Sequence, residues 1–170
     1  MPCALTSSFL IDCRDGVGGI KTIKVKEQPT TATLTADFTL TSGTIAIAAN
    51  SQTGWYRYDL RTETANATWT GTGNEQNGTF FYDQALTIIL SKVAVKLEYE
   101  LKLLGQNRIL IAVELNDGTY VLLGYQNGMT VATSAGGSGT AFGDLNGYTV
   151  NFIGREKDTP HMTLATWDTL

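Results

Sequence analysis

The stretch RILIAVELNDGTYVLLGY, residues 108–125, decides the fold class. Two apolar runs, 108–115 and 119–125, flank Asn116-Asp117-Gly118. Asp-Gly between apolar runs is a strong short-range hairpin signal, because the tight two-residue turn needs backbone that Asp and Gly tolerate. Both runs are apolar at nearly every position. That predicts central strands covered on both faces rather than strands with one wet side.

Working back toward the N-terminus, further short strands are predicted. Residues 20–26 alternate, with Ile23 and Val25 opposite the lysines, and residues 33–40 place Leu34, Ala36, Phe38 and Leu40 on one face. A turn at Thr41-Ser42-Gly43 leads to strands at 44–48 and 54–60, then 64–72 and 78–83 joined by an exposed loop, 73–77. Toward the C-terminus, 126–147 reads as a long Gly-, Ser- and Asn-rich loop, 148–154 as a closing strand and 155–170 as a polar tail. Regular short strands point to a β-sandwich or barrel.

One segment breaks the pattern. Residues 84–104 contain neither Gly nor Pro, with Asp83 placed to cap the start and Gly105 to end it. At 3.6 residues per turn, Leu86, Leu90, Val93, Leu97, Leu101 and Leu104 fall on one stripe. The expectation is a single mainly β domain over 1–170, with one long amphipathic helix at about 84–104 and an N-terminal arm, 1–19.

Composition supports this class. The chain has 170 residues, about one domain. It carries 26 Thr, a β-branched residue that favours strands. Charged residues are only 16%, against about 25% in ordinary domains. With 12 basic and 16 acidic residues the net charge is −4, which argues against gripping a polyanion. No segment reaches 18 apolar residues, so no membrane span is expected. The N-terminus lacks a basic leader region, so synthesis in a cytoplasm is expected.

The chain offers little catalytic chemistry. Its one histidine, His161, lies in the polar tail, away from any positioned nucleophile. Cys3 and Cys13 cannot supply the four ligands of a structural zinc site, and read as two thiols or one N-terminal disulfide. Gly136-Gly137-Ser138-Gly139 lacks the Lys-Ser or Lys-Thr of a phosphate loop. Asp144-Leu145-Asn146-Gly147 lacks the spacing of a calcium loop. Asp59 and Glu63 beside Trp55, Tyr56 and Tyr58 suggest either strand packing or a sugar site. No cofactor or metal is expected, and no enzymatic activity.

The helical segment has a second stripe, Ile88, Val95, Tyr99 and Leu103, roughly opposite the first. A helix on a sheet needs one apolar face. Two suggest that something covers the outside, either the chain's own long loop or a neighbouring subunit. These four residues are therefore the expected subunit interface.

Residues 141–156, AFGDLNGYTVNFIGRE, together with the preceding helix, hairpin and Gly/Ser loop, resemble the tail tube proteins of tailed bacteriophages. The opening Cys3-Ala4-Leu5-Thr6 and 12–20, DCRDGVGGI, resemble virion proteins of phages infecting Bacteroidetes-like hosts. The resemblance implies a virion protein without enzymatic activity that self-assembles into stacked rings, six subunits to a ring in that family. Each subunit would add strands to a barrel around a channel. DNA would pass through a mildly acidic lumen without specific binding. Other tail proteins, with or without a sheath, are the implied partners. The segments 66–79 and 128–147 would be flexible assembly elements. Two alternatives stand beside this. One is another virion component, such as a tail terminator, head–tail connector or capsid decoration protein. The other is a carbohydrate-binding sandwich using Trp55, Tyr56, Tyr58 and Trp69.

Overall fold

The computed structural model describes residues 16–29, 38–41, 44–48 and 53–163. Residues 33–37 of the expected strand 33–40, Ser42 and Gly43 of the expected turn 41–43, most of the N-terminal arm with Cys3 and Cys13, and residues 164–170 lie outside them.

Among the described residues the chain is mainly β with one short helix. Strands run β1 (Ile20–Glu27), β2 (Phe38–Thr41), β3 (Thr44–Ile47), β4 (Tyr56–Asp59), β5 (Ala65–Asn74) and β6 (Thr79–Ser91). Helix α1 (Val95–Gln106) follows. The chain continues through β7 (Ile109–Leu115), β8 (Tyr120–Leu123), β9 (Thr130–Gly137), β10 (Gly147–Glu156) and β11 (His161–Thr163). Among the described residues two sheets form, a seven-stranded one in the order β2-β3-β11-β8-β7-β1-β4 and a four-stranded one in the order β5-β6-β10-β9.

The β7–β8 hairpin is the centre of the larger sheet, as its sequence predicts. Ile109, Ile111 and Val113 point into the main core with Ile23 and Val25 of β1 and Val121 and Leu123 of β8. Leu110, Ala112 and Leu122 point the other way, into a second core with Phe38, Ile45, Ile47 and Tyr125. There the Phe38 and Tyr125 rings meet edge to face at 6.0 Å. Because β7 has apolar cover on both sides, it shows no alternation in its sequence.

The main core lies between the sheets. The smaller sheet contributes Leu86, Ile88, Leu90, Tyr148, Val150 and Phe152. The two sheets are joined by the turn after β8. Gly124 sits there at φ +72°, and a Cβ would come within 2.7 Å of the Met129 nitrogen, so only glycine fits. Two buried polar side chains pin this turn. Gln84 Oε1 accepts the Gly124 N–H at 2.9 Å. Glu156 Oε1 accepts the N–H groups of Gln126 and Asn127 at 3.1 and 2.8 Å.

Three expectations are corrected. The helix does not span 84–104; residues 84–91 complete the 13-residue strand β6, and α1 begins only at Val95. Leu86, Ile88 and Leu90 satisfy a period of two as well as the helical stripe, and the β-branched run Thr87-Ile88-Ile89 favours the extended form. Asp83 therefore caps no helix; it pairs with Arg155 across the sheet at 2.8 Å. Gly105 lies inside α1 rather than beyond it. Lys92, at φ +84°, helps break the strand from the helix. Only the later part of the predicted stripe holds. Leu97, Leu101 and Leu104 face the core.

Nor is 126–147 one long loop. Residues 130–137 form β9, an edge strand paired to β10, leaving 138–146 as the connection. Its small polar residues hide it, because nearly all its side chains are exposed and no apolar alternation is needed. The tail is not irregular throughout either. β10 extends to Glu156, and β11 inserts between β3 and β8, parallel to the former and antiparallel to the latter. No helix among the described residues is long and apolar enough to cross a membrane.

Candidate functional site

The four expected interface residues separate. Ile88 is on β6 and 2% exposed inside the core, so it is withdrawn from any surface. Val95 and Tyr99, one helical turn apart on α1, are 87% and 61% exposed. Leu103 is half-buried and lines a cleft of about 250 Å³ with Tyr56, Tyr58 and Leu104. The outer face of α1 is thus an apolar pair beside a small cleft, not a continuous stripe.

The aromatic residues of a sugar platform are not gathered on one face. Tyr58 and Tyr56 pair with Ile23 and Val25, on the side of the larger sheet facing the main core. Trp55 packs against the second core, beneath the Lys26 ammonium at 5.8 Å. Trp69 belongs to the other sheet, opposite Gln84. Asp59 is paired with Arg57 at 2.7 Å and Glu63 occupies a turn at φ +62°. Gly136 belongs to a strand, with the Tyr148 ring over it; a Cβ would lie 2.6 Å from that ring. It serves aromatic packing rather than phosphate binding. Among the described residues no group of three or more His, Cys, Asp or Glu could hold a metal ion.

The most distinctive surface belongs to the four-stranded sheet. Among the described residues its outer edges are β5, ten residues long, and β9, eight residues long. Neither contains Pro or any charged residue. An exposed strand edge is a row of unpaired N–H and C=O groups, and monomers usually blunt it with lysine, proline or brevity. The β4 edge of the larger sheet follows that rule, at four residues with Arg57 and Asp59 among them. The two long edges do not. They also run in opposite directions, because every neighbour in this sheet is antiparallel. The β9 edge of one copy can therefore continue the antiparallel order against β5 of another.

The outer face of this sheet carries Asn66, Thr68, Thr70 and Thr72 on β5, with Phe81, Thr87, Ile89, Thr149, Asn151 and the exposed Ile153 on β6 and β10. Thr87 and Asn151 are hydrogen-bonded at 2.9 Å. The charges on this face, Asp83 and Arg155, neutralise each other. Beyond the core, β5 and β6 continue as a hairpin arm. Gly71 and Gly73 on β5 sit under the Phe80 ring, 3.0 and 3.1 Å from where a Cβ would be. Phe80 and Tyr82 pack edge to face at 5.1 Å. The proposed flexible element 66–79 is thus mostly a paired strand with a four-residue turn, 75–78.

The edges escaped the sequence reading because β9 looked like a loop. The signal available was the pairing of a ten-residue uncharged strand with a second uncharged run. No family model matches the chain, and no curated protein matches it.

Proposed function

We propose that the protein is a self-assembling structural subunit of the tail-tube kind, in which the four-stranded sheet of each copy joins its neighbours edge to edge. The observation that carries this reading is the pair of long, uncharged, oppositely directed edges on one sheet. Head-to-tail contact of β9 with β5 is heterologous, and such contacts close into rings when the rotation permits. A closed barrel leaves no edge exposed.

On this reading the Thr- and Asn-bearing face lines the channel, because the opposite face is occupied by the core. The channel wall would be charge-balanced, rather than acidic as the net charge suggests. A wall without surplus cations does not exchange counterions with DNA and so does not hold it. The larger sheet and α1 would lie outside, with Val95 and Tyr99 available to a neighbour. The sequence resemblance to tail tube proteins supports the same arrangement. The division of Trp55, Tyr56, Tyr58 and Trp69 among different surfaces disfavours a sugar platform.

Negative-stain microscopy of the purified full chain, with light scattering for mass, tests the proposal. Rings or hollow tubes are expected. A monomer of 18.3 kDa at every concentration and salt tested would overturn it.

A further inference from the structure

The chain holds three Asn-Gly pairs, Asn77-Gly78, Asn127-Gly128 and Asn146-Gly147. Glycine has no Cβ, so its backbone nitrogen is free to approach the side-chain amide of the asparagine before it. By sequence alone the three pairs are equally open to that intramolecular reaction. The structure separates them.

Asn127 is held at both ends. Its Nδ2 donates to the Arg155 carbonyl at 2.7 Å, and its backbone N–H donates to the buried Glu156 carboxylate at 2.8 Å. Its neighbour is held too. The Gly128 N–H donates to the Gly124 carbonyl at 3.1 Å, and Gly128 is buried, with Gln28 Oε1 against the place a Cβ would take. Asn146 has an exposed side chain, but its carbonyl accepts the Lys92 N–H. Gly147 is buried as the first residue of β10, paired with Ser91 on one side and Gly137 on the other, and a Cβ there would meet the Leu90 carbonyl. Closing a ring between the two residues requires the peptide plane between them to turn. At these two pairs the backbone bonds fix that plane.

Asn77 differs in each respect. It lies in the turn 75–78 at the tip of the β5–β6 arm, where all four residues are exposed. Its backbone N–H donates to Asn74 Oδ1 at 3.1 Å, which leaves its own side-chain amide in water. Gly78 stands at φ +62° with nothing within 4 Å of where a Cβ would be. The Gly78 N–H makes a long bond, 3.3 Å, to the Glu75 carbonyl of the same exposed turn. Such turn tips open locally at little cost.

We propose that Asn77 is a site of spontaneous deamidation, converting to aspartate and isoaspartate through a cyclic imide with Gly78, while the fold protects Asn127 and Asn146. A solvent base takes the Gly78 amide proton, and the nitrogen attacks Asn77 Cγ. A C–N bond forms, the Cγ–Nδ2 bond breaks, and the amide nitrogen leaves as ammonia with a proton from solvent. Water then opens the ring. Addition at Cγ gives aspartate, and addition at the main-chain carbonyl gives isoaspartate. The sum is one water consumed and one ammonia released, with no change of oxidation state. Either product adds a negative charge to the arm's tip. Isoaspartate also lengthens the backbone of the turn, next to the Asn74–Thr79 pair that closes the arm. The reaction lies within one chain, so it does not rest on the assembly reading.

The test ages the full chain in mildly alkaline heavy-oxygen water, native and in urea, and maps its peptides by mass spectrometry. In the native chain the peptide bearing Asn77 should take up heavy oxygen at least about tenfold faster than those bearing Asn127 and Asn146, a margin that a modest local opening cost supplies. Fragmentation should find isoaspartate as well as aspartate at position 77. In urea the three rates should converge. Asn77→Ser should abolish uptake in its own peptide and leave the other two unchanged. Equal rates in the native chain overturn the site. A lead for Asn77 that persists undiminished in urea overturns the protection assigned to the fold, and aspartate without isoaspartate overturns the imide route.

Discussion

The two sheets are built from similar residues but handle their exposed backbone in opposite ways. The seven-stranded sheet hides its centre completely. β7 and β8 have apolar cover on both faces, and its β4 edge is a four-residue strand carrying Arg57 and Asp59. The four-stranded sheet buries one face and leaves the other mixed, threonines and asparagines beside Ile89 and Ile153, and its edges are long and uncharged. The first arrangement serves stability. The second leaves hydrogen-bonding capacity unused in one direction, which a lone monomer ordinarily avoids. The contrast teaches that one small domain can blunt an edge of one sheet and leave long, uncharged edges on the other.

The largest effect should come where the sheets meet. Phe152 is fully buried between them, so Phe152→Ala should cost about 3–5 kcal/mol in urea unfolding. Leu110→Ala, in the second core, should cost about 2–5 kcal/mol. A loss below about 1 kcal/mol for both would contradict the assignment of stability to these cores.

A smaller effect should appear with pH at the joint between sheets. Burial raises the Glu156 carboxyl above its ordinary 4.5, with the N–H groups of Asn127, Gln126 and Gly128 opposing the shift. The folded chain therefore keeps this proton in a window where the unfolded chain has lost it. The charge opposes folding, and its destabilising contribution grows as pH rises from the ordinary value through the raised one. Glu156→Gln should show the smallest stability difference from wild type below that window, and should gain relative to wild type as pH rises through it. A difference independent of pH would refute the assignment.

The hairpin arm should respond locally. Phe80→Ala uncovers Gly71 and Gly73, so amide exchange in 69–82 should quicken while global stability moves by no more than about 0.5 kcal/mol. Equal loosening of β7 would show that the arm and the core unfold together. Least of all should stability change in Val95→Asp with Tyr99→Asp, since both side chains are exposed. Assembly should nevertheless be lost, and normal polymers from this double variant would remove the α1 face from the interface.

What the sequence revealed follows the same contrast. The β7–β8 hairpin was legible because Asp117-Gly118 marks the turn and both strands need apolar residues throughout. Strand β6 was misread because Leu86 and Leu90 fit a helical stripe and a strand face equally. Only the β-branched run 87–89 and the contact with β10 separate the two. Strand β9 was missed because an exposed edge imposes no apolar pattern on TVATSAGG. At three residues, β11 is too short to carry any period. At the candidate surface, Val95 and Tyr99 were found through their spacing, but Ile88 was drawn in by extending the helix too far.

The central claim is that β5 and β9 are the edges through which copies join. Hydrogen exchange, measured by residue on assembled and dispersed protein, tests it most directly. Assembly should protect outward-facing amides of both β5 and β9 and leave β7, already buried, unchanged. Assembled protein whose β5 and β9 amides exchange as fast as in the dispersed chain would contradict the account.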